Sequence, residues 1–335
     1  MSVTIRDVAA RADVSLATAS RALRDLPVIA ESTRRRVQEA AAHLGYVLPT
    51  RNAPAVPEPK RPRVVLFVPY IGRWYFARLL EGLERVLHTR GIDLIVARPV
   101  DVQGRRRSVA EHVQELGVNG VVLADVTVDD IELQVLAERG IPVVLIGIND
   151  LNIDTVGIDD RSAGFVMARH LLALGHRRIG LLTEGKHEWG FLSARDRREG
   201  FLAAMAEAGV EWDPALEVHA DFTVNGAKRA VEALFELVDP PSAVIAHSDE
   251  MAFGVMAAAR AHGLRVPEDV SVIGIDGHDM AEAWELTTLA QPVDTLGELA
   301  AWQMASRLEG SADDAPRHLR LPTTLVVRAS TTAVA

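Results

Sequence analysis

From Arg63 onward the chain alternates continuous apolar runs with amphipathic stretches. "RVVLFV" precedes "FARLLEGLERVLHTRG", "IDLIVA" precedes "VAEHVQELG", "VNGVVLA" precedes "IELQVLAERG", and "IPVVLIG" closes the series. The rhythm then resumes with the helical "MARHLLALGH", with "RRIGLLT" and "REGFLAAMAEAG", with "SAVIAH" and "EMAFGVMAAARAHG", and with "VSVIGID". Apolar runs without polar alternation indicate strands buried on both faces, as in parallel sheets covered by helices. The rhythm runs twice, so the pattern predicts two similar α/β lobes, with no residue-level repeat between them.

Before Arg63 the period is helical throughout. Ile5, Val8, Ala9 and Ala12 fall at i, i+3, i+4 and i+7, and Thr4 with Asp7 resembles a capping-box start. After the break "ADVS", Ser15 is placed to cap a second helix, "LATASRAL". Ala19 and Leu23 share one face of it, while Leu16, Ala17, Thr18 and Arg21 lie largely elsewhere. A third helix is expected from about Glu31, with Val37, Ala40, Ala41 and Leu44 in the same spacing. Between this head and the body, "YVLPTRNAPAVPEPKRPRVV" carries Pro49, Pro54, Pro57, Pro59 and Pro62. Closely spaced prolines exclude an unbroken helix and favour extended chain. The expected divisions are a three-helix head at 1–48, a proline-rich linker at 49–62 and a two-lobed body at 63–335.

Charge is unevenly spread along the chain. The net charge is -10, yet residues 1–63 hold 11 Lys+Arg against 6 Asp+Glu, and the remainder holds 25 against 40. A basic head on an acidic body implies that only the head meets phosphate. Two short helices joined by a tight turn fit the major groove of DNA, which is about 12 Å wide and accepts one helix. Ser15, Thr18 and Ser20 are candidates for phosphate contacts and Arg21 for guanine O6 and N7. A plain helical bundle with solvated arginines is the alternative that spacing leaves open.

Ligands of parallel sheets bind beyond the carboxyl ends of the strands. The segments there are "PYIGRWYF", "AD" at 124–125, "IND" at 148–150, "TEGKHEWGFLSARDRR" at 183–198, "HSDE" at 247–250 and "DGHD" at 276–279. They gather Trp74, Tyr75, Phe76, Trp189 and Phe191 together with an arginine and several aspartates. Flat rings and forked donors suit a small polar ligand such as a sugar or nucleobase. Each candidate has a structural alternative. Asp276 could cap the following loop, Arg197 could belong to a surface ladder with Arg195, Asp196, Arg198 and Glu199, and Tyr75 and Phe76 could be core.

Other classes find little support. There is no GxSxG, no GxxxxGK[ST] loop, and no HExxH among the 11 histidines, so no catalytic residue, cofactor or metal site is assigned. Zero cysteines exclude disulfides and thiolate chemistry. No apolar run reaches the roughly 18 to 20 residues of a membrane span, and the N-terminus lacks a signal-peptide core. A cytoplasmic protein without a membrane partner is expected.

"VTIRDVAARADVSLATASRAL", followed by "STRRRVQEAAAHLGY", resembles the helix-turn-helix of LacI/GalR-family transcriptional regulators. The body carries "GHRRIGLL", "RREGF", "SDEMAFGVM", "VPEDVSVIGID", "TTLAQPV" and "LPTTLVVRAST" in that family's order. The resemblance implies a mixed α/β chain, a helix-turn-helix head on a two-lobed body of parallel sheets similar to periplasmic binding proteins. It also implies a homodimeric, effector-controlled regulator, most often a repressor, on a pseudo-palindromic double-stranded operator. By the same resemblance Leu16 and Ala17 touch bases, as does Arg21, and Ser15, Thr18 and Ser20 touch the backbone. Arg197, Ser248 and Asp276 hold the effector, Phe222 stacks on it, and Tyr75 and Phe76 match an aromatic pair of the purine-responsive branch. Three departures stand out. Ala30 replaces the usual Ser or Thr cap of the third helix, Ser248 replaces the usual Asn, and the hinge pattern "PNxxARxL" is absent, with Thr50, Pro54 and Ala55 in "PTRNAPAV". The linker is therefore expected to stay extended, with Arg51, Lys60, Arg61 and Arg63 near phosphate. A solute receptor without a DNA role is the alternative, and the basic head speaks against it.

Overall fold

A computed structural model describes residues 4–23, 29–44, 46, 61–100, 106–147, 152–184, 192–311 and 315–334. The chain divides into two compact units, Met1–Lys60 and Arg61–Ala335. Of the expected linker 49–62 only Arg61 and Pro62 are described; Thr50, Arg51, Pro54, Ala55 and Lys60 lie outside the described residues, as do Trp189, Phe191 and the segment 148–150.

The head consists of α1 (Ile5–Arg11), α2 (Leu16–Leu23) and α3 (Glu31–Leu44). Val8, Ala9, Ala12, Ala19, Ala22, Val37, Ala40 and Ala41 form its buried centre. Small residues at these positions let three short helices approach closely. At the start of α1, Asp7 accepts from both the Thr4 backbone N–H and the Thr4 hydroxyl, at 2.8 and 2.7 Å. The hydroxyl thus donates to the carboxylate. The turn into α2 is tight: Asp13 has φ 50° and the Val14 N–H donates to the Ala9 carbonyl.

In the body, the first lobe contains β1 (Arg63–Phe67), α4 (Trp74–Thr89), β2 (Asp93–Ala97), α5 (Val109–Leu116), β3 (Gly120–Ala124), α6 (Asp130–Glu138), β4 (Val143–Ile146) and β5 (Asp154–Gly157). The second contains α7 (Asp160–Ala173), β6 (Ile179–Glu184), α8 (Leu192–Glu207), β7 (Glu217–Ala220), α9 (Val224–Phe235), β8 (Ala243–Ala246), α10 (Asp249–Ala261), β9 (Ser271–Asp276) and β10 (Thr287–Ala290). The chain then returns through α11 (Val293–Leu308) and β11 (His318–Arg320) to the first lobe and ends on β12 (Thr324–Val326) in the second. Three segments therefore cross between the lobes.

The sheets run β11-β5-β4-β3-β1-β2 and β12-β10-β9-β8-β6-β7, parallel except for β12, which pairs antiparallel with β10. Successive side chains on a strand face opposite ways. Leu66 and Phe67 are nevertheless both fully buried, because α4 and α11 cover one face of the first sheet and α5 and α6 the other. The continuous apolar runs reflect this double cover. Strands β5, β7, β10, β11 and β12 and helices α9 and α11 were not expected from periodicity. Edge strand β7, "EVHA", is half polar and only partly buried, so it carries no apolar run. Each lobe has the doubly wound order in which strand direction of winding reverses between β1 and β3, or between β6 and β8. The crevice beyond the carboxyl ends at that reversal is where ligands bind.

Candidate functional site

In the head, Ser15 sits at the start of α2 and its Oγ accepts from the Thr18 N–H at 3.1 Å, while its hydroxyl shares a 2.8 Å hydrogen bond with the Thr18 hydroxyl. Ser15 is the helix cap. Leu16, Ala17 and Arg21 are exposed, Thr18 and Ser20 are half-buried, and Ala19 and Ala22 turn into the head's centre. The face left outward therefore carries an apolar pair at its amino end and a guanidinium about one turn later. Such a face reads base edges when laid in a major groove.

In the body, a cleft lies between the lobes and is lined by Arg73, Tyr75, Phe76, Asp125, Ser193, Arg197, Phe222, His247, Ser248, Glu250, Asp276 and Gln291. All six candidates from the sequence meet there. Each comes from a carboxyl-terminal strand end or the helix that follows it. Tyr75 and Phe76 open α4 after β1, Phe222 follows β7, Ser248 follows β8, and Asp276 ends β9.

Arg197 reaches the cleft from α8 because α8 and α7 pack with backbones touching. A Cβ at Gly164 would lie 1.9 Å from the Arg197 carbonyl oxygen, and one at Gly200 would lie 1.9 Å from the Arg161 carbonyl oxygen. Only glycine permits that approach. It sets the buried Arg197 beside the buried Asp160 at the start of α7, with Arg197 Nε donating to Asp160 Oδ1 at 2.8 Å and Nη1 donating to the His247 carbonyl at 3.0 Å. The surface ladder forms without it: Arg195 pairs with Asp196 at 2.8 Å. Burial works to lower the Arg197 pKa, but Asp160, Asp276, Asp125 and Glu184 outweigh it, so the guanidinium stays charged. Asp160 has a raised pKa all the same, because burial exceeds the help of its arginine.

Asp276 does not cap the following loop. His278 does that, its Nδ1 accepting from the Met280 N–H at 3.0 Å. Asp276 Oδ1 instead accepts from Gln291 Nε2 at 3.0 Å, and its backbone is held at φ 139°. Burial, and then the charge of Asp249, push its pKa well above the usual carboxylate range. Asp125, also at positive φ (50°), is pushed to about 7 by burial and by Asp160. Two carboxylates thus face the cleft, one from each lobe, and the backbone of Asp276 sits at a φ that side chains rarely adopt, a strain that clusters at functional sites.

Ser248 caps α10 by accepting from the Met251 N–H at 3.1 Å, which leaves its hydroxyl hydrogen for the cleft. Phe76 is 7% exposed and packs into the first lobe's core while also lining the cleft, so both readings of the aromatic pair hold for it. Tyr75 is packed against that core, and burial raises its pKa well above 10.

The sequence did not single out Asp160, Asp125, Ser193, His247, Glu250 or Gln291. His247 is the most informative of these. It is 1% exposed, its Nδ1 is 3.7 Å from Glu184 Oε2, and neither ring nitrogen nor that oxygen has a hydrogen-bond partner among the described residues. Buried polar atoms without partners are rare in folded proteins. Among the described residues no cluster of metal-ligating side chains occurs, and no helix is long and apolar enough to cross a membrane.

Both parts of the chain match known protein families. Residues 4–48 match the profile of bacterial regulatory proteins of the lacI family, and residues 168–331 match that of the periplasmic binding protein-like domain. The HTH-type transcriptional repressor CytR of Escherichia coli K12 is 30% identical over 336 residues, spanning 99% of this chain and 97% of that protein. The solved complex of the transcriptional regulator CelR with cellobiose superposes with a TM-score of 0.69 at 30% identity, covering 98% of this chain and 100% of that one. A LacI family transcriptional regulator from Enterococcus faecium with bound ribose gives 0.72 at 27% identity, covering 82% of this chain and 100% of that one.

Proposed function

The chain belongs to the lacI family of bacterial regulatory proteins, and we propose that it represses transcription as a dimer whose operator affinity is set by a small polyhydroxylated or nucleobase-like effector in the interlobe cleft. It is a DNA-binding transcriptional regulator built from a helix-turn-helix head and an effector-binding body. Its relatives are regulators of transcription, CytR and CelR among them.

For DNA, α2 enters the major groove. Leu16, Ala17 and Arg21 meet base edges, and Ser15, Thr18 and Ser20 approach the phosphates with whatever hydrogen-bonding capacity their local bonds leave. One head reads one half-site, so a two-fold dimer reads a pseudo-palindrome. A protein that works on an operator would act in the cytoplasm.

For the effector, the observation that carries the reading is the convergence of Tyr75, Phe76, Arg197, Phe222, Ser248 and Asp276 on one cleft. Arg197 has two nitrogens engaged by Asp160 and His247, which leaves its other terminal nitrogen for a ligand hydroxyl or carbonyl. Asp276 and Asp125 supply acceptors, Ser248 and Gln291 supply donors, and the rings cover a flat face. Relatives solved with cellobiose and with ribose support a sugar. A change in DNA affinity follows when the effector binds one arrangement of the lobes more tightly than the other.

The experiment is a thermal-shift screen of the full chain against ribose, cellobiose, other sugars and nucleobases. A ligand that binds the folded chain alone raises the melting temperature by mass action. Arg197→Lys and Asp276→Asn should each remove the shift; a shift that persists in both variants places the effector elsewhere.

A further inference from the structure

One short loop reaches from the first lobe to the second beside the cleft. The segment 70–74, between β1 and α4 of the first lobe, makes three separate contacts with the second lobe. Tyr70 meets Phe222, just after β7, edge to face with ring centroids 6.1 Å apart. Arg73 reaches Glu250 on α10 at 3.6 Å. Trp74 donates from Nε1 to Asp279 Oδ2 at 3.0 Å and stacks on His278, with centroids 4.8 Å apart and planes 25° from parallel.

The far side of these contacts is held by hydrogen bonds. Asp249 accepts from the Gly277 and His278 N–H groups, at 2.9 and 2.7 Å, and from the Thr288 hydroxyl at 2.7 Å. The His278 ring also packs edge-on against Phe253 at 5.4 Å. The same backbone stretch begins with Asp276, so the loop that Trp74 grips is continuous with a wall of the cleft. Trp74 itself does not line that cleft; it faces a separate surface hollow with Arg78, Asp279 and Asp294.

We propose that the β1–α4 loop is the clasp of the body, with Trp74 as a positioning residue that holds the lobes over the effector without touching it. A rigid-body opening of the lobes pulls Trp74 off His278 and Asp279 together, because both partners ride on the second lobe. The grip therefore biases the lobes toward the closed arrangement. This rests on reading the cleft as the effector site, but the clasp is testable without any effector.

The chain has no cysteine, so paired spin labels can be placed at will. Arg139→Cys and Val238→Cys put one label at an exposed position on each lobe, at the ends away from the cleft. Labelled chain is diluted into excess unlabelled chain so that each distance comes from one subunit, and the interlobe distance is read by double electron–electron resonance. Trp74→Ala and Asp279→Ala should both add a population at longer separation. Trp74→Phe, which keeps the stack and loses the N–H donor, should fall between Trp74→Ala and the parent. Asp279 is exposed, so its variant reports even where Trp74→Ala fails to fold. A distance distribution unchanged in Asp279→Ala, and in Trp74→Ala if that variant folds, overturns the clasp. A failed thermal-shift screen with shifted distances would remove the effector reading and leave the clasp standing.

Discussion

Arg197 Nε donates to Asp160 Oδ1 at 2.8 Å across the contact between two helices, and both side chains are buried. This pair gives the arginine, which we propose holds the effector, a structural role as well. Its guanidinium is aimed by Asp160, and its position depends on the close approach of α7 and α8 at Gly164 and Gly200.

Asp160→Ala should therefore do two things. It leaves a buried cation without its nearest counter-charge, a change that costs about 3 kcal/mol or more. It also frees the guanidinium to turn. Urea unfolding should show the loss of stability, and a ligand found by the thermal-shift screen should bind more weakly even though Asp160 does not line the cleft.

Asp125 gives stability a pH dependence of definite sign. Burial, with Asp160 next, raises its folded pKa from the ordinary 3.8 to about 7. Between those values the folded chain keeps a proton that the unfolded chain has released, so this group makes stability fall as pH rises through the window. Above about pH 7 the deficit is complete. Asp125→Asn removes it, and asparagine tolerates the left-handed backbone found there. The variant should exceed the parent by on the order of a few kcal/mol above neutrality, with the advantage gone near pH 4. A constant difference across that range in pH-dependent urea unfolding would mean that Asp125 does not titrate this way.

The two caps of the head make opposite predictions. Ser15→Ala removes the acceptor for the Thr18 N–H and should cost about 1 kcal/mol of head stability. At the start of α3 the Ala30 carbonyl accepts from the Thr33 and Arg34 N–H groups, and its side chain offers no acceptor. Ala30→Ser should return a similar amount. Thermal unfolding of the isolated Met1–Lys60 unit reads both if that unit melts cooperatively alone; in the full chain, amide exchange over α2 and α3 reads them.

Arg21 separates base reading from phosphate binding. Arg21→Ala should relax preference at one base position of the half-site, by about 1 to 3 kcal/mol against the preferred base. Competition among operator variants measures it. An equal loss on every sequence would instead make Arg21 a phosphate contact.

The two-lobe fold was legible because strands such as β3, "GVVLA", are buried on both faces and must be apolar throughout. The cleft was legible in part for the same reason: Tyr75, Phe76, Ser248 and Asp276 sit at or just beyond strand ends, where a reading of the sheet directs attention. Arg197 was not decided by its neighbours in sequence, four of which are charged. What decides it is Asp160, 37 positions earlier, brought against it by two glycines whose packing role carries no periodic signal. His247 stood in a flagged segment, yet nothing local marks it as a buried ring whose nitrogens lack a hydrogen-bond partner among the described residues. Trp74 was noticed as an aromatic beside the cleft; that it grips the opposite lobe depends on a partner 205 positions away.

Effector control requires that the cleft and the operator be linked. A fluorescent duplex selected from a random pool should be titrated with the full chain at several salt concentrations, with and without each compound that raises the melting temperature. Affinity should fall log-linearly with salt, as neutralised phosphates require. It should change with the effector in the parent, and be insensitive to it in Asp276→Asn, which keeps the parent's DNA affinity. A compound that raises the melting temperature and leaves operator affinity unchanged would contradict effector control.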